Sequence, residues 1–209
     1  MKVLLLHGWP LSERMWVSQV TALRNAGFDP VTPHLYGRGY SIDDWAAQLL
    51  REVYGPIVPV GASMGGYVAL ALARRAPERV LGMVLVGSRA DADSWDRRRI
   101  REEQIAELRD GKTPDHSEPD VLLEHLAKAQ EAIRDRLDLT GVVASFGGPV
   151  LVCVGDQDEM TSVDESQELA ATALEGRCEV FEGAGHFPSL DQSGRFNEVL
   201  LDFLARWKT

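Results

Sequence analysis

A serine between two glycines, Gly61-x-Ser63-x-Gly65, stands where a buried apolar run meets an Ala-rich stretch with helical character. This spacing between a strand and a helix is typical of a nucleophile elbow, a sharp turn that exposes a serine hydroxyl above a sheet. Both flanking positions must be small because side chains there would collide with the crossing strand and helix. The alternative is an ordinary strand-to-helix turn with a capping serine.

A serine hydroxyl is a poor nucleophile unless a base takes its proton and an acid orients that base. Two candidate acids, Asp156 and Asp158, follow an apolar run that ends at Gly155, and His186 follows the next run in a Gly-rich loop. Because the carboxyl ends of parallel strands meet at one edge of a sheet, these side chains are expected near Ser63. The other four histidines lack this position: His7, His34, His116 and His125.

Short apolar runs alternate with helical periodicity along the chain, which predicts a doubly wound, mostly parallel α/β sheet of about six strands. The expected strands are residues 2–6, 28–35, 57–60, 80–86, 149–154 and 178–181. The second contains Pro30 and Pro33, and since proline cannot donate to ladders on both sides, it should be an edge strand. The expected helices are residues 13–25, 41–53, 67–76, 94–109, 120–137, 164–173 and 196–207.

The chain is expected to form one domain, residues 1–209, with a helical insertion at about residues 90–139. A length of 209 residues with 44% hydrophobic residues is enough for one sizeable core and short for two. The insertion is highly charged and shows no strand pattern, and two amphipathic helices fit it.

The composition restricts the partners and the compartment. A net charge of -10 argues against nucleic acid or an anionic membrane surface as a partner. No signal peptide is visible and no segment approaches membrane-spanning length. Cys153 and Cys178 lack metal-ligand spacing and suggest core residues in a reducing compartment. We expect a cytoplasmic protein without a metal or a cofactor.

Six short motifs, in order, resemble those of small serine esterases, enol-lactonases and cofactor-free haloperoxidases of the α/β-hydrolase superfamily. They are residues 7–10 (HGWP), 37–39 (GRG), 61–66 (GASMGG), 77–80 (PERV), 155–158 (GDQD) and 183–187 (GAGHF). Together they cover the chain except the insertion. The family usually has two strands before the one that leads into His-Gly, so the resemblance implies a sheet that lacks those two.

The resemblance also implies a role for each matching residue. Ser63 would be the nucleophile, His186 the general base and Asp158, three residues after a glycine, the orienting acid. The oxyanion hole would use the backbone N–H groups of Trp9 and Met64. Such donors matter because they meet negative charge that develops only in the transition state.

The function implied is a serine hydrolase acting on a small carboxylic ester, lactone or thioester through an acyl-enzyme. Two alternatives stay open: a C–C bond hydrolase or lyase with the same triad, and a non-catalytic small-molecule receptor on the same fold. The insertion resembles a reduced helical lid. Its Trp95 is a candidate for the substrate pocket, although an aromatic residue that packs the lid explains it equally well.

Overall fold

The computed structural model describes residues 1–208 and contains a single six-stranded parallel sheet in that part of the chain. Its strands are β1 (Lys2–Leu6), β2 (Asp29–Val31), β3 (Ile57–Ala62), β4 (Met83–Val86), β5 (Pro149–Gly155) and β6 (Glu175–Phe181). The order across the sheet is β2-β1-β3-β4-β5-β6. The prediction of a doubly wound sheet of about six strands is confirmed.

Helices cover both faces of this sheet. They are α1 (Val17–Asn25), α2 (Ile42–Glu52), α3 (Met64–Arg75), α4 (Trp95–Arg109), α5 (Leu123–Arg134), α6 (Thr140–Ser145), α7 (Val163–Thr172), α8 (Pro188–Asp191) and α9 (Ser193–Leu204). Short 3-10 helices precede α1 (Glu13–Trp16) and follow α9 (Ala205–Trp207). The sequence did not predict α6 and α8, which are too short to show a helical period.

Three strands differ from the prediction by three residues or more, and one of them is β4, which begins at Met83 and not at residue 80. Strand β2 lies at the edge, as its prolines indicated, but only Asp29–Val31 pair with β1. Strand β6 begins at Glu175, three residues earlier than predicted. Its first three residues are exposed and carry no apolar pattern, yet they continue the ladder with β5.

The core is divided between the two faces of the sheet. In β1, Val3 and Leu5 pack on the side of α1 and α9, whereas Leu4 and Leu6 pack on the side of α2 and α3. Successive side chains of a strand point to opposite faces, so a strand buried on both faces must be apolar throughout. This accounts for the continuous apolar runs in the sequence.

The helical insertion, residues 90–139, follows β4 and precedes β5 along the chain. It contains α4 and α5, which pack on each other. It is tied to the loop that follows β1. The Trp9 indole N–H donates to the carbonyl of Leu126 at 3.2 Å, and Arg14 forms an ion pair with Asp120 at 2.7 Å. Within residues 1–208, no helix combines the length and the apolar character needed to cross a bilayer.

A buried histidine joins the segments that follow β1 and β2. The backbone N–H of Leu35 donates to Nε2 of His7 at 3.0 Å, and Nδ1 of His7 lies 3.1 Å from the carbonyl of Gly8. His7 therefore carries its proton on Nδ1 and is neutral. Burial lowers the pKa of His7 from 6.5 to about 4.

This pKa predicts a pH dependence of stability. In the unfolded chain His7 takes up a proton near pH 6.5, whereas in the folded chain it does so only near pH 4, so the unfolded state binds more protons between these values. The free energy of unfolding should therefore fall as the pH decreases through this range, with His7 contributing ~3 kcal/mol. Urea titrations should show a shallower decrease for His7→Gln. The exposed His34→Gln is the control, and equal slopes for His7→Gln and wild type would contradict the expectation.

Helix α3 crosses β1 and β3 so closely that two glycines have no room for a side chain. A Cβ on Gly65 would overlap the carbonyl of Leu6, and one on Gly61 would overlap the backbone of Gly65. Backbone atoms cannot rotate away as a flexible side chain can. The turn between β3 and α3 therefore depends on both glycines.

We expect Gly65→Ala to lower the free energy of unfolding by about 1–3 kcal/mol or more, because the added methyl group forces the helix away from β1. Gly141→Ala, in α6, is a matched control, since a Cβ there has open space around it. Thermal and urea unfolding of both variants measure the difference. A Gly65→Ala protein as stable as the Gly141→Ala protein would show that the crossing is looser than described.

Candidate active site

Ser63 occupies a strained turn between β3 and α3. Its φ of 48° and ψ of -111° are uncommon for a residue other than glycine. The turn is fixed from the neighbouring strand: the Ser63 N–H donates to the carbonyl of Val86 at 2.8 Å. The Ser63 carbonyl accepts from the Ser88 hydroxyl and the Gly66 N–H, both at 2.9 Å. The backbone of Ser63 is thus held in one conformation. The residue is 9% exposed.

His186 and Asp158 are brought together by the loops after β6 and β5. Nδ1 of His186 lies 2.8 Å from Oδ2 of Asp158, whose side chain is fully buried. The other oxygen of Asp158 accepts from the N–H groups of Met160 at 2.8 Å and Thr161 at 3.1 Å. All three bonds favour the carboxylate over the carboxylic acid.

The charge of Asp158 determines which nitrogen of His186 is available. Burial acts to raise the pKa of the Asp158 carboxyl, but the hydrogen bond and charge of His186, with the two backbone N–H groups, hold that pKa below its ordinary value. An ionised Asp158 can only accept, so Nδ1 of His186 carries the proton and Nε2 is the acceptor. Within residues 1–208, Nε2 is buried and has no hydrogen-bond partner, and His186 and Ser63 line the same cavity.

Gly87 and Ser88 are site residues that the sequence analysis did not identify. Gly87 has a φ of 52°, and a Cβ on it would lie 2.6 Å from the carbonyl oxygen and 3.0 Å from Nδ1 of His186. A larger residue at this position would displace the imidazole. Both residues directly follow the predicted strand 80–86. Because the sites of open α/β sheets lie at the carboxyl ends of strands, this position could have identified them.

The second candidate acid, Asp156, lies elsewhere, and so do two aspartates on the segment after β4. Asp156 accepts from the N–H of Gly183 at 2.6 Å and braces the loop that precedes His186. Asp91 and Asp93, on the segment after β4, are paired with arginines of the insertion. None of these three carboxylates is bonded to His186.

The candidate oxyanion donors are the N–H groups of Met64, which directly follows Ser63, and of Trp9, which lies in the loop after β1. Met64 is the first residue of α3 and is fully buried. Trp9 follows Gly8, where a Cβ would lie 2.7 Å from the Phe187 ring. This contact places the loop of Trp9 beside the loop of His186.

The cavity at Ser63 and His186 has a volume of about 280 Å³. Helix α4 contributes a large part of its wall, through Arg97, Ile100, Arg101 and Gln104. Trp95 does not line this cavity. It is 83% exposed at the start of α4, so the structure does not bring this candidate to the other site residues.

The fold also brings together three potential metal ligands, His7, Glu13 and His34, whose donor atoms lie within 4.8 Å of one another. These residues show no metal-ligand spacing in the sequence because they come from separate segments of the chain. Nδ1 of His34 lies 2.8 Å from Oε2 of Glu13. Both nitrogens of His7 already bond to the backbone, so coordination by His7 would require breaking one of these bonds.

Known proteins resemble this chain over nearly its whole length. A thermophilic esterase from Thermogutta terrifontis, solved with malate bound, has a TM-score of 0.92 at 27% identity, covering 100% of this chain and 91% of that one. The pimeloyl-[acyl-carrier protein] methyl ester esterase of Yersinia enterocolitica is 26% identical, covering 99% of this chain and 94% of that protein.

The 2-hydroxymuconate semialdehyde hydrolase of a Pseudomonas species is 28% identical, covering 84% of this chain and 76% of that protein. The sequence profile of the alpha/beta hydrolase family matches residues 3–199. That match covers β2 to β6 and all but the first residue of β1, together with the elbow and the loops that carry Asp158 and His186. The chain therefore belongs to the alpha/beta hydrolase family.

Proposed function

We propose that the protein is a serine hydrolase that cleaves a small carboxylic ester, lactone or thioester, with Ser63 as nucleophile, His186 as base and Asp158 as orienting acid. The observation that carries the proposal is the 2.8 Å bond between Nδ1 of His186 and the buried Asp158. It leaves Nε2 as the acceptor in a cavity that Ser63 also lines. The hydrolase relatives support the reaction type.

In the first half-reaction, Ser63 Oγ attacks the carbonyl carbon of the substrate while its proton passes to Nε2 of His186. The tetrahedral intermediate then expels the alcohol or thiol, which leaves with the proton from Nε2, and an acyl-enzyme remains. In the second half-reaction, water gives a proton to Nε2 and attacks the acyl carbon. The acid departs and the proton returns to Ser63. Asp158 holds the imidazole in place and stabilises its charged form.

The proposed oxyanion hole consists of the backbone N–H groups of Met64 and Trp9. Met64 begins α3, and the first N–H groups of a helix are unpaired within it and lie at its positive end. They can stabilise the negative oxygen of the tetrahedral intermediate without having to reorganise. Removing one such donor typically slows catalysis by roughly 10²–10³.

We further propose that the chain forms one domain and that the helical insertion acts as a lid over its active site. Its support is the position of α4, which lines the cavity together with Ser63 and His186. The Trp9–Leu126 hydrogen bond adds a direct link between the insertion and the loop of the proposed oxyanion hole. The proposed pocket does not include Trp95.

The second candidate function is hydrolysis of a C–C bond by the same residues. The similarity to the 2-hydroxymuconate semialdehyde hydrolase favours it. A panel of short-chain aryl esters, lactones and vinylogous 1,5-diketones distinguishes the two. Faster turnover of the diketones than of every ester and lactone would replace the ester assignment.

The activation of Ser63 can be tested independently of the substrate. A fluorophosphonate probe should add once to the folded protein, and peptide mapping should locate the adduct on Ser63, because only an activated serine attacks phosphorus readily. Ser63→Ala should give no adduct, whereas Ser41→Ala, which removes the cap of α2, should react like wild type. Absence of labelling in folded wild-type protein would favour the receptor alternative.

The assignment of the acid predicts unequal effects for two neighbouring aspartates. Asp158→Asn should lower kcat on the order of 10⁴-fold, because an amide opposite Nδ1 favours the wrong tautomer of His186. Asp156→Asn is the matched control and should change kcat only a few-fold, since Asp156 bonds to Gly183 and not to His186. Steady-state kinetics on one aryl ester measures both. A larger effect for Asp156→Asn would make the assignment wrong.

A further inference from the structure

The helical insertion contains a concentration of buried polar atoms without hydrogen bonds, one of which, Oδ1 of Asp93, is in an ion pair. Within residues 1–208, ten buried side-chain nitrogen and oxygen atoms lack a hydrogen bond, and five of them belong to Asp93, Gln104, Gln130 and Arg136. An unpaired buried polar atom typically costs ~1–3 kcal/mol, so such atoms are rare and require an explanation. Asp93 and Gln104 line the active-site cavity. Gln130 and Arg136 lie behind them and contact residues of its wall, Arg101 and Asp93.

Arg101 bonds to two of these residues and lines the cavity. Its Nε lies 3.2 Å from Oδ2 of Asp93, and its Nη1 donates to Oε1 of Gln130 at 3.1 Å. The side chains of Asp93 and Gln130 are fully buried, and that of Arg101 is 12% exposed. Nη2 of Arg101 has no protein partner within residues 1–208.

Asp93 is fixed from its other side by Arg136. Nη1 of Arg136 lies 2.6 Å from Oδ1 of Asp93, with angles too poor for a hydrogen bond, so the contact is an ion pair. The guanidinium of Arg136 also lies over the ring of Tyr67, 4.1 Å from its centre, and Tyr67 lines the cavity. The chain of contacts Arg136–Asp93–Arg101 thus fixes the orientation of the Arg101 guanidinium.

The charges that line the cavity are mainly positive, although the protein has a net charge of -10. The lining includes three guanidinium groups, those of Arg89, Arg97 and Arg101, and two carboxylates, those of Asp93 and Glu159. Asp93 is neutralised by its two arginine partners, and Glu159 is exposed to solvent.

The arginines differ in how far acidic partners occupy them. Arg89 makes two bonds to Glu165, and Arg97 bonds to Asp91 at 2.9 Å. Arg101 shares its one acidic partner with Arg136. A guanidinium binds a carboxylate through directed N–H groups, and within residues 1–208 those on Nη2 of Arg101 have no protein partner.

We propose that the substrate carries a carboxylate at the far end of its acyl chain, bound by Arg101, so that the enzyme hydrolyses monoesters of linear dicarboxylic acids. This rests on the proposed function of Ser63. Both residues line one cavity, so an acyl chain attached to Ser63 can extend to Arg101 without leaving it. The products are the dicarboxylate, the alcohol and a proton.

The test compares two esters that differ only at the chain end: the mono-4-nitrophenyl ester of adipic acid, with a terminal carboxylate, and 4-nitrophenyl hexanoate, with a terminal methyl group. Wild-type enzyme should have a kcat/KM ~10–100-fold higher for the adipate ester, the range expected for one charged hydrogen-bonded contact. The difference should arise mainly in KM. Equal values, or a preference for the hexanoate ester, would overturn the proposal.

Variants of α4 identify the residue responsible. Arg101→Met should lower the adipate-to-hexanoate ratio of kcat/KM by ~10–100-fold, and Arg101→Lys should recover part of it because the charge remains. Arg99→Met is the matched control on the same helix, 66% exposed and paired only with Glu103, and should keep the wild-type ratio. A ratio that is unchanged in Arg101→Met would also overturn the proposal.

Two further readouts separate the possible failures. If Arg101→Met does not fold, inhibition of wild-type turnover by adipate relative to hexanoate gives the same comparison, and equal inhibition counts against the proposal. If Ser63 reacts with fluorophosphonate and both esters turn over equally, the carboxylate assignment is wrong and the serine hydrolase stands. If neither ester turns over and Ser63 is not labelled, the proposed function itself is wrong.

Discussion

The backbone of Ser63 has a φ of 48°, a conformation that costs a residue with a side chain ~1–3 kcal/mol and persists only where the surroundings enforce it. Here the enforcement comes from the crossing of α3 over β1 and β3, where Gly61 and Gly65 let the backbones touch. The bonds to Val86 and Ser88 add the neighbouring strand. The same crossing sets where α3 begins, and so where the N–H of Met64 lies.

The insertion is stabilised in a different way. Its helices join the apolar core through residues such as Ile105 and Leu126, yet Asp93 and Arg136 are buried among them as ions. Burying such a pair generally stabilises a fold less than apolar residues of the same volume would. The pair lies beside the cavity, where Asp93 also holds the guanidinium of Arg101 in the wall. Two apolar residues could not hold a charged side chain there.

The parts of the fold and site that the sequence predicted are those with local patterns. Continuous apolar runs located β1, β3, β4 and β5 because these strands are buried on both faces, and the glycines around Ser63 located the elbow. The start of β6 was missed because Glu175 to Arg177 pair in the ladder while exposed. The contact of Gly87 with His186 and the proximity of His34 to Glu13 arise only from the tertiary fold. Spacing alone left both Asp156 and Asp158 open, and only the resemblance chose between them.

The order of the strands has a consequence for measurements on this protein. Ser63, Asp158 and His186 follow β3, β5 and β6, and β4 lies between the first two in the sheet. Parallel strands cannot be joined by a tight hairpin. Each pair of neighbouring strands therefore forms only when a crossover segment has brought together residues that are distant along the chain. A chain in which β6 has not joined the sheet has Ser63 without His186 beside it. Under the proposed mechanism, a refolding experiment followed by labelling of the serine would count only molecules whose sheet is complete through its last strand, whereas helix content would count earlier forms as well.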